Sequence, residues 1–385
     1  MAWAAAAVAV TEAHWAPLLS PLLAAALALP GVAAAQVDAG QGSVSLKWLS
    51  YQDQQPGLQR IMVSSPSLLV RAPLAGPWVL EAGLSSDSVS GASPRYHSAI
   101  SGASRMSDER RAGDVKLTRL GERSDFALGL ASSDENDFHS RAASVEGRWH
   151  SDDRNRSWNA ALAITRDRIG SSDDDTLKAR RRTLEVTVGI TQALSRADLV
   201  QLNITHAAGN GYYSDPYKRL DVRPGSRHQS IVLARWNHHV EGPDITLRSS
   251  WRGYRDSFGV RSHTLSLEPV FTLGERFTIT PGLRLYSQSA ARFYYDPVYS
   301  FAGAPYPPGY LEARPRFLSP DARLSAFGAV SVSLKLAVKL DTRWSADLKL
   351  ERYEQRSAWR VGGPGSPGLA PLSAKLMTWG LSGTF

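Results

Sequence analysis

The sequence predicts an all-β fold: a transmembrane, antiparallel, up-and-down β-barrel of about sixteen strands, with short periplasmic turns and long extracellular loops. Three observations carry this reading. Apolar and polar residues alternate with a period of two over segments of roughly ten residues, short turns alternate with longer connections, and the chain ends in an alternating apolar stretch that closes on Phe385. The composition agrees. Of 385 residues, 43% are hydrophobic and 21% charged, with 11 Trp, 13 Tyr and 10 Phe, which is ample material for a folded body. The absence of Cys excludes a disulfide scaffold, a thiolate metal or iron–sulfur site and a thiol nucleophile. A net charge of +8 would point a soluble protein toward nucleic acid, but the basic residues are scattered rather than clustered, so no nucleic-acid partner is expected.

No Lys or Arg precedes Lys47, and Leu18 to Leu29 is an apolar stretch followed by Pro30, Gly31 and Ala33-Ala34-Ala35. This small-residue pattern reads as a signal peptide over residues 1–35, leaving residues 36–385 as the barrel. The competing reading is a permanent anchor over Trp15 to Val37, which Pro17, Pro21 and Pro30 disfavour.

Strand segments then follow at 43 to 51, 60 to 71, 77 to 85, 112 to 120, 124 to 132, 139 to 150, 156 to 167 and 181 to 192, and continue at 197 to 207, 229 to 240, 244 to 255, 261 to 273, 276 to 289, 321 to 339, 343 to 356 and 373 to 385. Within them, Leu184, Val186, Val188 and Ile190 alternate with Thr183, Glu185, Thr187 and Gly189, and Val330, Val332, Leu334 and Leu336 with Ser331, Ser333, Lys335 and Ala337. An even strand count puts both termini at one rim, the rim of the short turns. Hydrocarbon offers no hydrogen bonds, so only a closed sheet can cross it. In a closed sheet Pro66 is awkward, and a bulge or strand edge is expected there. Trp48, Trp78, Trp149, Trp158, Trp236, Trp344 and Trp379 recur near the short-turn ends, where indole rings suit the headgroup level. The last stretch resembles the C-terminal barrel-insertion signal, with Met377, Trp379, Leu381 and Phe385 matching and Gly383 smaller than usual. That resemblance implies the barrel-insertion machinery as a partner.

At Asp87 to Pro94 (DSVSGASP), Leu285 to Ala290, Phe293 to Pro297 and Glu351 to Arg356 the sequence resembles an uncharacterised Gram-negative outer-membrane family known only as a domain of unknown function. The resemblance covers most of the mature chain and implies a barrel, not an activity. Family members often neighbour genes for a flavin-attaching transferase and a thioredoxin-like protein, which implies a possible periplasmic redox partner.

The predicted lumen face carries Lys116, Glu146, Arg148, Glu185, Arg248, Arg252, Glu268, Arg284, Lys335, Asp347, Lys349 and Glu351. Such charges either set ion preference in a water-filled pore or pair across strands to brace a narrow interior. Residues 290–320 hold Phe293, Tyr294, Tyr295, Tyr299, Phe301, Tyr306, Tyr310 and Phe317, with prolines stiffening the backbone. They offer a stacking surface for a sugar or a planar ligand, against the favoured reading that the loop folds inward or over the rim and packs on itself. Asp87 to Pro94 is read as the start of a loop that either constricts the pore or turns a corner. Asp134 to Asp137 and Asp173 to Asp175 are read as solvated tips in preference to cation sites shared with lipopolysaccharide. His238 and His239 point to opposite faces of a strand, and no metal or cofactor is expected. His206 or His263 beside a Ser supplies no recognisable nucleophile, base and orienter, so no catalytic residue is assigned and no enzyme activity is expected. The expected place is the outer membrane of a Gram-negative bacterium, among its lipid and lipopolysaccharide. The functional readings are a pore for small polar solutes, a non-conducting platform for a periplasmic or surface assembly linked to flavin or redox proteins, and, least favoured, a barrel-embedded hydrolase.

Overall fold

The computed structural model describes residues 41–92, 105–218, 221–296 and 315–385, and within them sixteen antiparallel strands close into one barrel. In chain order they are β1 (Ser43–Gln55), β2 (Leu58–Pro73), β3 (Trp78–Ala92), β4 (Arg105–Arg119), β5 (Ser124–Asp134), β6 (Phe138–His150), β7 (Arg156–Ile169) and β8 (Ala179–Ala193). The second half comprises β9 (Asp198–Gly211), β10 (Ser226–Val240), β11 (Ile245–Asp256), β12 (Arg261–Leu273), β13 (Phe277–Gln288), β14 (Phe327–Lys339), β15 (Trp344–Arg356) and β16 (Leu372–Thr384). Each strand pairs with its neighbours in sequence, and β1 closes on β16 from Ser43↔Thr384 to Gln54↔Ser373. The seam extends to the last residue: Gly42 N–H donates to Phe385 O at 2.9 Å and Phe385 N–H to Gly42 O at 3.0 Å. No helix among the described residues is long and apolar enough to cross a membrane. The segment read as a signal, residues 1–35, lies outside the described residues.

The strand registers accumulate a stagger of roughly one residue per strand around the ring, the geometry of strands tilted by about 35–45°. The period of two sorts the side chains. Leu84, Leu128, Leu130 and Leu334 are exposed on the outward face, while the rungs between them point inward. Trp48, Trp78, Trp149, Trp158, Trp236, Trp344 and Trp379 are all exposed on that outward face near the short-turn rim, and Trp48 stacks on Trp379 across the seam at 6.0 Å.

Three local expectations change. Pro66 sits in neither a bulge nor an edge: it faces Trp48 on β1, while the ladder to β3 passes from Ser64↔Ser88 to Ser67↔Ser85 without a change of register. Proline has no N–H for that ladder, so a gap in the pairing is enough. The bulge lies instead between Gln52 and Gln54. The connection expected over 86–111 is mostly strand, because β3 runs on to Ala92 and β4 starts at Arg105. Finally β14 starts at Phe327, preceded by the 3-10 turn Ala322–Leu324, whose Arg323 amide donates to the Asp321 side chain.

Candidate functional site

The inward rungs at mid-height form a charged lumen. On β3 and β4, Glu81 accepts from Lys116 at 2.6 Å and approaches Arg71 of β2 at 3.9 Å. On β14 and β15, Lys335 pairs with Asp347 at 3.6 Å and Lys349 with Glu351 at 2.8 Å. Glu146 and Arg148 occupy inward rungs of β6, and Glu185, buried, an inward rung of β8. Arg248 faces Glu268 across β11 and β12, Arg252 faces Thr264, and Arg284 lies between Ser266 and Ser331. All twelve residues of the predicted lumen set therefore share one face of the sheet. The sequence reading omitted Lys47, Arg71, Glu81, Asp114, Asp125 and Arg235 from that face, although the same alternation carries them.

The two signs are not mixed evenly. Between β3 and β8 the mid-height and lower rungs carry Glu81, Asp114, Asp125, Glu146 and Glu185 against Lys116 and Arg148. Between β10 and β13 they carry Arg235, Arg248, Arg252 and Arg284 against Glu268. An acidic wall thus faces a basic wall. Lys116 on β4 and Lys335 on β14 are 25% and 37% exposed to the interior, whereas Glu185 is buried.

Toward the long-loop rim the inner wall is sealed by cross-strand ion pairs. Asp53 meets Arg60 at 3.6 Å, Asp87 meets Arg110 at 3.1 Å, Asp167 meets Arg181 at 2.6 Å and Asp256 meets Arg227 at 2.6 Å. Hydroxyls complete several of them: Tyr51 donates to Asp53, Ser140 to Asp167 and Tyr254 to Asp256, each within 2.9 Å. Asp87 is therefore a brace on strand β3, not the start of a constricting loop, and Ser93 and Pro94 lie outside the described residues.

Over the β9–β14 side a folded cap covers the rim. Asp215 and Lys218 of the β9–β10 loop bond at 2.6 Å, Lys218 reaches Asp321 at 3.5 Å, Arg223 donates to Asp321 at 2.6 Å and to Asp221, and Arg323 donates to Asp215 at 2.8 Å and to Asp321. Three carboxylates and three cations so neutralise one another, and Asp321 and Arg223 have no exposed side-chain surface. Burial works against the charged carboxylates, but Arg323, Lys218 and Arg223 outweigh it at Asp321 and hold its pKa well below the ordinary range; Lys218 and Arg323 do the same, less strongly, at Asp215. At Asp221 burial prevails over Arg223 and raises the pKa.

The aromatic loop takes part in this cap. Phe293 packs edge-on against Phe258 at 5.1 Å, Phe258 against Tyr213 at 5.7 Å, and Tyr295 N–H donates to Ser319 O at 3.1 Å. Its two ends thus pack on each other and on neighbouring loops. Tyr299, Phe301, Tyr306 and Tyr310 lie outside the described residues. Gln288 ties the cap to the wall, accepting from Tyr286 at 2.6 Å and donating to the carbonyls of Arg323 at 2.9 Å and Ser325 at 2.6 Å. Asp296 accepts from Tyr294 at 2.9 Å and from Gly368 N–H of the β15–β16 loop at 3.1 Å. Nothing in the sequence spacing signalled that charges near positions 215 and 321 meet.

The remaining candidates separate. Asp134 bonds His139 at 2.9 Å, and Asp174 caps Thr176 in its own turn at 2.6 Å. His238 contacts Asp198 on the outward face at 2.8 Å, and His239 contacts Thr246 inside at 3.1 Å. His206 approaches Ser230 at 3.1 Å on the outward face and stacks on His228, with no carboxylate orienting it among the described residues. Outward, Ala234 and Ser249 floor an apolar groove of 420 Å³ between Trp236 and Trp251. Of the terminal signal, Met377, Trp379 and Phe385 are exposed, and Leu381 shares their outward face.

A family model described as "Protein of unknown function (DUF3570)" matches residues 171–376. No curated protein matches the sequence. Among solved structures, a bacterial polysaccharide outer membrane secretin aligns with a TM-score of 0.52 at 7% identity, covering 90% of this chain and 99% of that one. CdiB from Acinetobacter baumannii aligns with a TM-score of 0.50 at 8% identity, covering 89% of this chain and 60% of its own. At these identities the likeness is one of fold: an outer-membrane-type barrel.

Proposed function

This chain belongs to the DUF3570 family of proteins of unknown function, and from that premise we propose that it is a pore for small polar solutes in the outer membrane of a Gram-negative bacterium. The observation that carries the reading is the charged lumen, in which a carboxylate-rich wall on β3–β8 faces a guanidinium-rich wall on β10–β13. Sixteen strands enclose enough width for an aqueous channel. A transverse field in such a channel orients dipolar solutes and admits ions of both signs along different sides. Reconstitution in a planar bilayer is expected to give stepwise conductance. A folded barrel that inserts and never conducts would overturn the proposal.

The buried cap favours one second reading, a closed barrel that serves as a platform for a periplasmic redox partner. Silence in the same recording, together with recovery of a flavin- or thiol-carrying protein from mild detergent, would favour it.

A further inference from the structure

Resting on the outer-membrane reading, we propose that the outward face of β6–β8 is a binding site for a diphosphorylated acyl glycolipid of the outer leaflet. Arg141, Arg166 and Arg182 stand side by side across the three strands, and Arg168 and Arg180 form the next rung toward the long loops. All five are exposed. None has an ion-pair partner among the described residues, and each faces another guanidinium across the ladder.

Like charges directly opposed in a sheet are unfavourable; elsewhere on the outward face near the same rim they occur as single pairs, Arg255↔Arg261 and Arg352↔Lys375, and other charges there have carboxylate partners. Arg111 pairs with Glu109 at 2.9 Å, His139 with Asp134 at 2.9 Å, and Arg352 and Arg356 share Glu354. On β8 itself Arg181 points inward and has its own carboxylate, Asp167. Among the described residues the five guanidiniums are the largest contiguous outward group whose neutralisation is left to something outside the chain.

Their height says what that is. From Trp158 to Arg166, and from Trp149 to Arg141, the chain advances eight residues, whose outward members are Ala160, Leu162 and Ile164 and Gly147, Val145 and Ala143. At ~3.3 Å per residue and a tilt of about 40° this is roughly 20 Å across the bilayer, so the arginines stand at the opposite interface from the tryptophan girdle. Longer loops mark that interface as the outer one. Three strands at ~4.8 Å spacing give a cationic surface about 10 Å wide. That width suits two phosphates at the ends of a disaccharide better than one phosphodiester. Arginine forks take phosphate oxygens two at a time, and the apolar band beneath, with Leu162, Val186 and Leu184 exposed, receives the acyl chains.

The test is native mass spectrometry of the purified full barrel in detergent, titrated in turn with diphosphoryl lipid A, monophosphoryl lipid A and phosphatidylglycerol. The diphosphoryl lipid is expected to bind at least about ten-fold more tightly than the other two, and Arg166→Ser with Arg182→Ser to remove that preference. Arg352→Ser, outside the patch, is expected to keep it. Unboiled gel migration reports whether each variant is a folded barrel. Equal retention by the folded double variant, equal binding of phosphatidylglycerol, or an arginine-dependent dimer with no bound lipid would overturn the site. If the double variant does not fold, wild-type binding that is insensitive to added sodium chloride would overturn it instead. A wild-type chain that shows no folded barrel on the gel would count against the outer-membrane reading and not against this site.

Discussion

Asp321 is the residue on which the cap turns, since Lys218, Arg223 and Arg323 all converge on its carboxylate. Asp321→Asn keeps the shape and removes the charge, leaving three cations, two of them buried, with two carboxylates. Breaking a buried pair in this way costs about 3–5 kcal/mol, so the expected outcome is a lower cap-melting temperature and protease cleavage within residues 212–225. Acid should act through the same groups. Asp321 and Asp215 have depressed pKa values, so their contribution is present above the unfolded carboxylate value and is lost as pH falls through the folded one. Asp221, raised by burial, takes up its proton first and on its own favours the folded cap at low pH. The cap is therefore expected to hold through neutral and mildly acidic conditions and to open only below about pH 4, read as cleavage by an acid protease. This cluster was not legible in the sequence, because its members come from two loops separated by four strands and share no period or motif. The lumen charges were legible, because a period of two assigns a face to each residue without knowledge of its neighbours.

At the scale of the strand, Gly383 shows why one position of the terminal signal departs from the usual pattern. A side chain there would meet the Trp344 ring at 2.8 Å, so the indole of β15 supplies the apolar cover that β16 lacks. Gly147 lies under Trp149 in the same way, at 2.7 Å. Gly383→Val should force the ring aside and destabilise the barrel by about 1–3 kcal/mol in a urea titration. Trp344→Ala combined with it should cost less than the sum of the two single changes, because the clash needs both residues. Sixteen strands were countable from the sequence, although the second alternates poorly, and most upper ends fell within a few residues of the observed ones; those of β3, β4 and β14 did not. The upper parts of β3 and β4 are polar on both faces, with Ser85 to Ser88 and Glu109 to Arg111, since they rise above the apolar band. Composition alone cannot tell such a hairpin from a loop.

For the whole molecule, the opposed walls of the lumen should decide which ions pass. Arg252→Glu with Arg284→Glu would place carboxylates on both walls, and the reversal potential in a salt gradient is expected to move toward cation preference. An unchanged reversal potential would mean that the basic wall does not line the conduction path. The account as a whole asks for water inside and hydrocarbon outside a closed wall. The native chain contains no Cys, so single cysteines can be placed at will. The most direct measurement is labelling by a membrane-impermeant thiol reagent along β14 in lipid vesicles. Ser333→Cys, Lys335→Cys and Ala337→Cys should react, while Val332→Cys, Leu334→Cys and Leu336→Cys should stay protected. Labelling without a period of two, or protection at all six positions, would contradict a water-filled barrel.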